Sequence, residues 1–210
     1  MVCSIRPRHK DPKATIASLA IAQAAYMAAQ GEVVTIQNYR NQLAALINDE
    51  DNNSVREFHS LIDLINQNLS LNETEFAKIL KQENGISGYI YHTVPMVLFI
   101  WLRHQRDFEG AMTSMIRLGG DTDTTAAILG GVVGAGTDKS DIPRDWLDNI
   151  MDWPISVNYV KALSAQLVQC KQSNTKASVA LLPGPLIFLR NMIFLVIVLL
   201  HGFRRLLPPY

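Results

Sequence analysis

The chain has 210 residues, enough for one sizeable hydrophobic core or at most two small ones. Nineteen Lys and Arg balance nineteen Asp and Glu, so no overall charge draws it to nucleic acid. Two cysteines, Cys3 and Cys170, make neither a disulfide framework nor a metal cluster and read as unpaired thiols of a reducing, cytoplasmic compartment.

Helical signals follow one another from the start. The opening MVCSIRPRHKD lacks the apolar run of a secretory signal. Asp11 before Pro12 starts a helix, because proline tolerates the first helical position, and Ala14 to Ala29 is apolar enough to be buried on most sides. Thr35 caps the next helix, with Ile36, Tyr39, Leu43, Leu46 and Ile47 on its apolar stripe. Ser54 with Glu57 and Asn72 with Glu75 both have capping-box spacing, and Val55, Phe58, Ile62, Ile65 and Leu69 recur at helical intervals between them. A loop from Gln82 to Thr93 leads into an apolar helix from Pro95 to about Leu102. Phe108, Met112, Met115 and Ile116 mark another helix, a further one ends near Gly134, and two more centre on Trp146–Ile150 and Val157–Leu167. No run alternates as a strand would, so the expected class is all-α.

The last stretch differs. From Lys171 to Tyr210 there are five Lys and Arg and no acidic residue. Residues 171–180 are expected to form a polar linker, and 181–210 an apolar and basic extension. Its core, Met192 to Leu200, is only nine residues long, whereas a membrane span needs roughly 20. Extending it upstream takes in Pro183, Gly184, Pro185, Arg190 and Asn191. The expectation is a buried helix, or one lying against a partner or a membrane surface through residues 186–207, with a true span as the remaining alternative.

The chemistry concentrates in LGGDTDTTAAILGGVVGAG, Leu118 to Gly136. On a turn before a helix, Asp121 and Asp123 can converge, Gly119 and Gly120 allow close backbone approach, and Thr124 adds a neutral oxygen. Such oxygens suit Mg²⁺, Mn²⁺ or Ca²⁺, and no Cys or His lies nearby for zinc. Overlapping helix caps explain the same residues, although one cap needs only one acceptor. A haloacid-dehalogenase-type phosphatase would need a strand before Asp121, and a calcium hand would need Gly and Glu where Ala126 and Val132 stand. In a second stretch, Asn84 to Pro95, Gly85 and Gly88 permit a loop around a ligand, and Tyr89 or Tyr91 offers a ring for stacking. His92 by itself is read first as a hydrogen-bonded structural residue.

Taken together, these stretches resemble the ADP-ribosylglycohydrolase family. LGGDTDTTAAILGGVVGA is similar to that family's C-terminal metal motif, Gly85 to Pro95 to its upstream glycine–tyrosine loop, and Arg8-His9-Lys10-Asp11-Pro12 to its Thr-His-x-x-Pro helix entry. Ile142-Pro143 and Trp146-Leu147 follow as in the family. The resemblance covers about residues 8–170 and is most specific at 118–136. It implies a multi-helical bundle with two Mg²⁺ or Mn²⁺ ions, and hydrolysis of an ADP-ribosyl bond to a protein or small molecule. Asp121 and Asp123 would be catalytic, Asp121, Asp123 and Thr124 would hold metal, and Gly85, Gly88, Tyr89, His92, Gly119 and Gly120 would contact substrate. The N-terminal half of full-length members, with its Gly-Asp-Ala-type motif, Ser/Thr-Asp-Asp metal triplet and glycine-rich Asn-Gly loop, is not found in the sequence. The expectation is therefore a C-terminal half lacking its N-terminal part, completed by a partner chain or surviving as a non-catalytic binding fragment.

Overall fold

The computed structural model describes residues 11–47, 53–138, 141–173 and 184–206. They contain ten helices in chain order: α1 (Pro12–Ala28), α2 (Ile36–Leu46), α3 (Asn53–Asn68), α4 (Glu73–Ile79), α5 (Ile90–Arg103), α6 (Phe108–Leu118), α7 (Thr122–Gly136), α8 (Arg144–Asp148), α9 (Val157–Ser173) and α10 (Gly184–Leu206). The only β feature among the described residues is one isolated parallel bridge, Ile86 with Gly120. Two compact units divide between Pro143 and Arg144.

In the first unit α5 is the central helix. Val94 and Met96 through Trp101 are buried with Tyr91 and Thr93. A helix apolar on every side has no face to give to water, so the others must surround it. It packs against α1, α3, α4, α6 and α7. Phe99 stacks on Phe76 of α4 with ring centroids 4.1 Å apart, and Trp101 meets Tyr39 of α2 edge-on at 5.7 Å. The Tyr39 hydroxyl donates to the Ala20 carbonyl at 2.8 Å, so its burial strands no polar atom.

Several local expectations hold. Asp11 caps α1 by accepting from the Lys13 N–H at 2.9 Å, and Thr35 caps α2 by accepting from the Asn38 N–H. Asn72 and Glu75 form both bonds of a capping box, at 2.9 and 3.0 Å. Others change. Ser54 lies inside α3, which begins at Asn53, so Ser54 and Glu57 make no capping box. Glu57 instead pairs with Lys13 at 2.6 Å. Leu46 is half exposed at the end of the α2 stripe, while Ile47 after it is buried. The helix placed at Pro95 begins at Ile90, with Pro95 inside it. The Tyr89 carbonyl accepts from both His92 and Thr93, and the surrounding core holds the turn despite the missing proline N–H.

In the second unit no residue of α8 or α9 is buried. α9 runs through Ser173, so the first residues of the expected linker are helical. Cys170 on α9 is a free thiol. α10 begins at Gly184 and keeps Pro185 in its first turn, where no intrahelical N–H is needed. It is long and apolar enough to cross a membrane and none of it is buried, which corrects the expectation of a buried helix. Arg190 pairs with Asp152 at 2.7 Å. Cys3, the Arg8-His9-Lys10 entry and residues 174–183 and 207–210 lie outside the described residues.

Two measurements check this core. Phe99→Ala opens a cavity beside Phe76 and should cost about 3–5 kcal/mol in urea unfolding. Glu73 accepts from Arg103 at 3.1 Å and lies 3.2 Å from the His104 ring. Burial opposes its charge, but its own backbone N–H and these two side chains prevail and hold the carboxyl below its ordinary 4.5. The unfolded chain therefore takes up this proton first as pH falls. Glu73's contribution should be intact at neutral pH and fade below about pH 4.5. Glu73→Gln should lower the thermal midpoint at pH 7 and narrow its difference from the parent at pH 3–4.

Candidate active site

The Gly85–His92 loop and the Asp121 turn, more than 30 residues apart in sequence, lie side by side. The Ile86 N–H donates to the Gly119 carbonyl at 3.0 Å, and the Asp121 N–H donates to the Ile86 carbonyl at 2.8 Å. Gly85 and Gly120 have φ of +115° and +84°. A Cβ on Gly85 would stand 2.6 Å from the Gly120 nitrogen, and one on Gly120 would stand 2.2 Å from the Ile86 carbonyl oxygen. Only glycine allows this approach at both places.

The same contact orients Asp121. It occupies the N-cap position of α7, yet its side chain makes no capping hydrogen bond. Its carboxylate lies instead over Gly88, where an added Cβ would stand 2.4 Å from Oδ2. The overlapping-cap explanation therefore fails for Asp121. Thr125, fully buried, does the local tying, donating from Oγ1 to the Asp121 carbonyl at 2.9 Å. Asp123 and Thr124 are exposed, and Asp123 Oδ1 accepts from the Thr124 N–H at 2.9 Å. A side-chain hydrogen bond from Asp121, together with that N–H, holds the Asp123 carboxyl below the ordinary carboxylate range. Two carboxyl groups thus stand close together on one turn.

The loop presents a second layer. His92 Nδ1 is 2.8 Å from Ser87 Oγ, Thr93 Oγ1 donates to the Ser87 carbonyl at 3.0 Å, and Tyr89 meets the His92 ring edge-on at 5.0 Å. Tyr89 is half exposed, whereas Tyr91 is buried and tilts against Phe58, so Tyr89 alone of the two offers a face to a ligand. Lys13 Nζ donates to the Tyr89 hydroxyl at 3.1 Å, pairs with Glu57 and sits 4.7 Å over the Tyr91 ring. Hydrogen bonds to Glu57 and Tyr89 push the Lys13 ammonium above its ordinary value. Burial, with Glu57 nearby, pushes the Tyr91 hydroxyl up to about 12. Sequence reasoning missed Lys13, Glu57 and Ser87. Glu57 carries a capping-box spacing that masks it, and no local pattern links Lys13 to a tyrosine 76 positions away.

The arrangement is an open face. A cavity of about 200 Å³ between α1 and α2, lined by Tyr26, Gln30, Glu32, Val33, Asn38 and Gln42 among others, shares no residue with it. Among the described residues no group of three or more His, Cys, Asp or Glu gathers as a metal cluster. The turn supplies two carboxylates and one hydroxyl.

A multi-helical domain with this glycine-flanked acidic turn belongs to a recognised class. The family model for ADP-ribosylglycohydrolase matches residues 3–177, and the chain belongs to that family. ADP-ribosylarginine hydrolase Tri1 from Serratia proteamaculans (strain 568) is 31% identical over 84 residues, covering 40% of this chain and 22% of that protein. No solved structure matches the chain.

The extent of the match corrects the expectation of a C-terminal half. The family domain occupies most of the chain, from before α1 through α9, so neither a lost N-terminal part nor a partner chain supplying it follows. Missing short motifs misled because they mark particular ligands, whereas a domain match extends over the helices between them.

Two alanine substitutions separate the roles of the glycines. Gly85→Ala strains a positive φ and drives backbone into backbone, so it should lower the thermal midpoint by several degrees. Gly88→Ala meets only the end of the Asp121 side chain. It should leave the midpoint within about 2 °C of the parent, with Asp121 displaced.

Proposed function

We propose that this chain hydrolyses an ADP-ribosyl glycosidic bond at the face formed by the Gly85–His92 loop and the Asp121 turn. The observation that carries the reading is the Ile86–Gly120 pairing, which brings both stretches together and leaves the Asp121 carboxylate over Gly88 rather than capping α7. Family membership supports the reaction class, and the arginine linkage in the name of the Serratia relative supplies the first substrate to test. The free thiol of Cys170 agrees with a cytoplasmic, reducing setting.

The oxygen donors of Asp121, Asp123 and Thr124 are of the kind that would hold a hard divalent cation, Mg²⁺ or Mn²⁺. When bound, such an ion polarises a hydroxyl and lowers the pKa of water. The residues of the chain do the rest. Asp121, aimed by Gly88, orients the ribose. Asp123, held below the ordinary carboxylate range, stays ionised and offsets positive charge growing at the anomeric carbon. Tyr89, fixed by Lys13 and His92, stacks on a planar part of the ligand. Water adds its oxygen to the anomeric carbon as the bond to the leaving group breaks, and the departing atom takes up the proton that the water loses.

A second reading, ADP-ribose binding without turnover, is favoured by the absence of a three-member ligand cluster among the described residues.

Release of ADP-ribose from ADP-ribosyl-arginine with Mg²⁺ or Mn²⁺ distinguishes the two. Asp121→Asn and Asp123→Asn should each lower the rate by about 10²-fold or more without lowering the thermal midpoint. Calorimetry should show ADP-ribose binding that requires Mn²⁺ and vanishes in the double variant. Binding that persists without turnover selects the second reading.

A further inference from the structure

α10 lies beyond the matched family range, so the hydrolase reading leaves it unexplained. Residues 192–200 are all apolar and all exposed. Nine consecutive positions exceed two helical turns, so apolar side chains point in every direction at this level. A helix seated on a protein would hide one side, and a helix lying flat on a membrane would keep one side polar.

The positions of the polar residues separate these cases. At 100° per residue, Arg190, Asn191, His201, Arg204 and Arg205 fall on one side of the helix. They fall in two groups, 190–191 and 201–205, with none between. Phe194, Ile197 and Val198 fill the same side between them, so the polar stripe is broken where a flat-lying helix needs it continuous. The stretch Gly184–Arg205 has 22 residues. At 1.5 Å per residue it is about 33 Å long, against a hydrocarbon core of about 30 Å. Arg190 is the one charge well inside the stretch. It lies about 9 Å from the Gly184 end, within reach of a headgroup layer through its flexible stem. Its guanidinium is paired with Asp152 at 2.7 Å. Trp153 follows, half exposed, a residue type favoured at the membrane–water boundary. At the other end Arg204 and Arg205 complement anionic headgroups.

We propose that α10 spans a lipid bilayer and tethers the chain to a membrane. This does not depend on the activity assigned to the acidic turn.

The test uses the full chain expressed in bacteria, with membranes washed first in high salt and then in alkaline carbonate. The parent should stay in the membrane pellet through both washes. Phe194→Arg with Ile197→Arg completes the polar stripe. It should reduce the membrane-retained fraction by about tenfold or more, because two charges would enter the hydrocarbon. The thermal midpoint of the detergent-solubilised variant, equal to that of the solubilised parent, controls for misfolding. A flat-lying helix predicts the opposite, since the completed stripe would bind a surface as well as the parent or better. Release of the parent by salt or carbonate, or undiminished retention of the variant, overturns the proposal. So does a parent that is soluble as a dimer and becomes monomeric in the variant.

Discussion

Gly85 and Gly120 meet backbone to backbone, closer than any Cβ would permit, and the candidate site is organised around that contact. Two hydrogen bonds through Ile86 lock the loop before α5 to the turn before α7. Ile86 itself is fully buried, so the lock is part of the core and not a surface accident. The helices it joins are the two most apolar of the first unit. Their cores set the position of the turn, and the turn sets the direction of Asp121.

Stability and chemistry are divided along the turn. Thr125 turns inward and spends its hydroxyl on the Asp121 carbonyl. Asp121 keeps its carboxylate outside the helix-capping system, whereas Asp123 accepts from the Thr124 N–H in the first turn of α7. A sequence optimised only for helix stability would place one capping oxygen here. Two carboxylates, one of them over Gly88, are what the proposed binding role would use.

The second unit follows a different logic. α9 buries nothing and α10 exposes apolar side chains all round. The family match accounts for α9 and stops before α10. Within this unit the Arg190–Asp152 pair ties the start of the long helix to the segment before α9.

By itself the sequence determined the all-α class, the caps at Asp11, Thr35 and Asn72, the amphipathic face of α3 and the acidic turn, because each depends on neighbours within about one or two helical turns. It misplaced the start of α5, since proline chemistry is local and the core that overrides it is not. It mistook Glu57 for a cap and left Lys13 unnoticed, since their ion pair joins α1 to α3. It inferred a missing half from missing motifs, although the family domain extends over residues 3–177. Only the tertiary structure decided that Gly85 touches Gly120, that Asp121 turns toward Gly88, and that Tyr89 is available while Tyr91 is buried. Those facts arise from contacts between elements distant in the chain, where packing, not periodicity, decides which atoms meet.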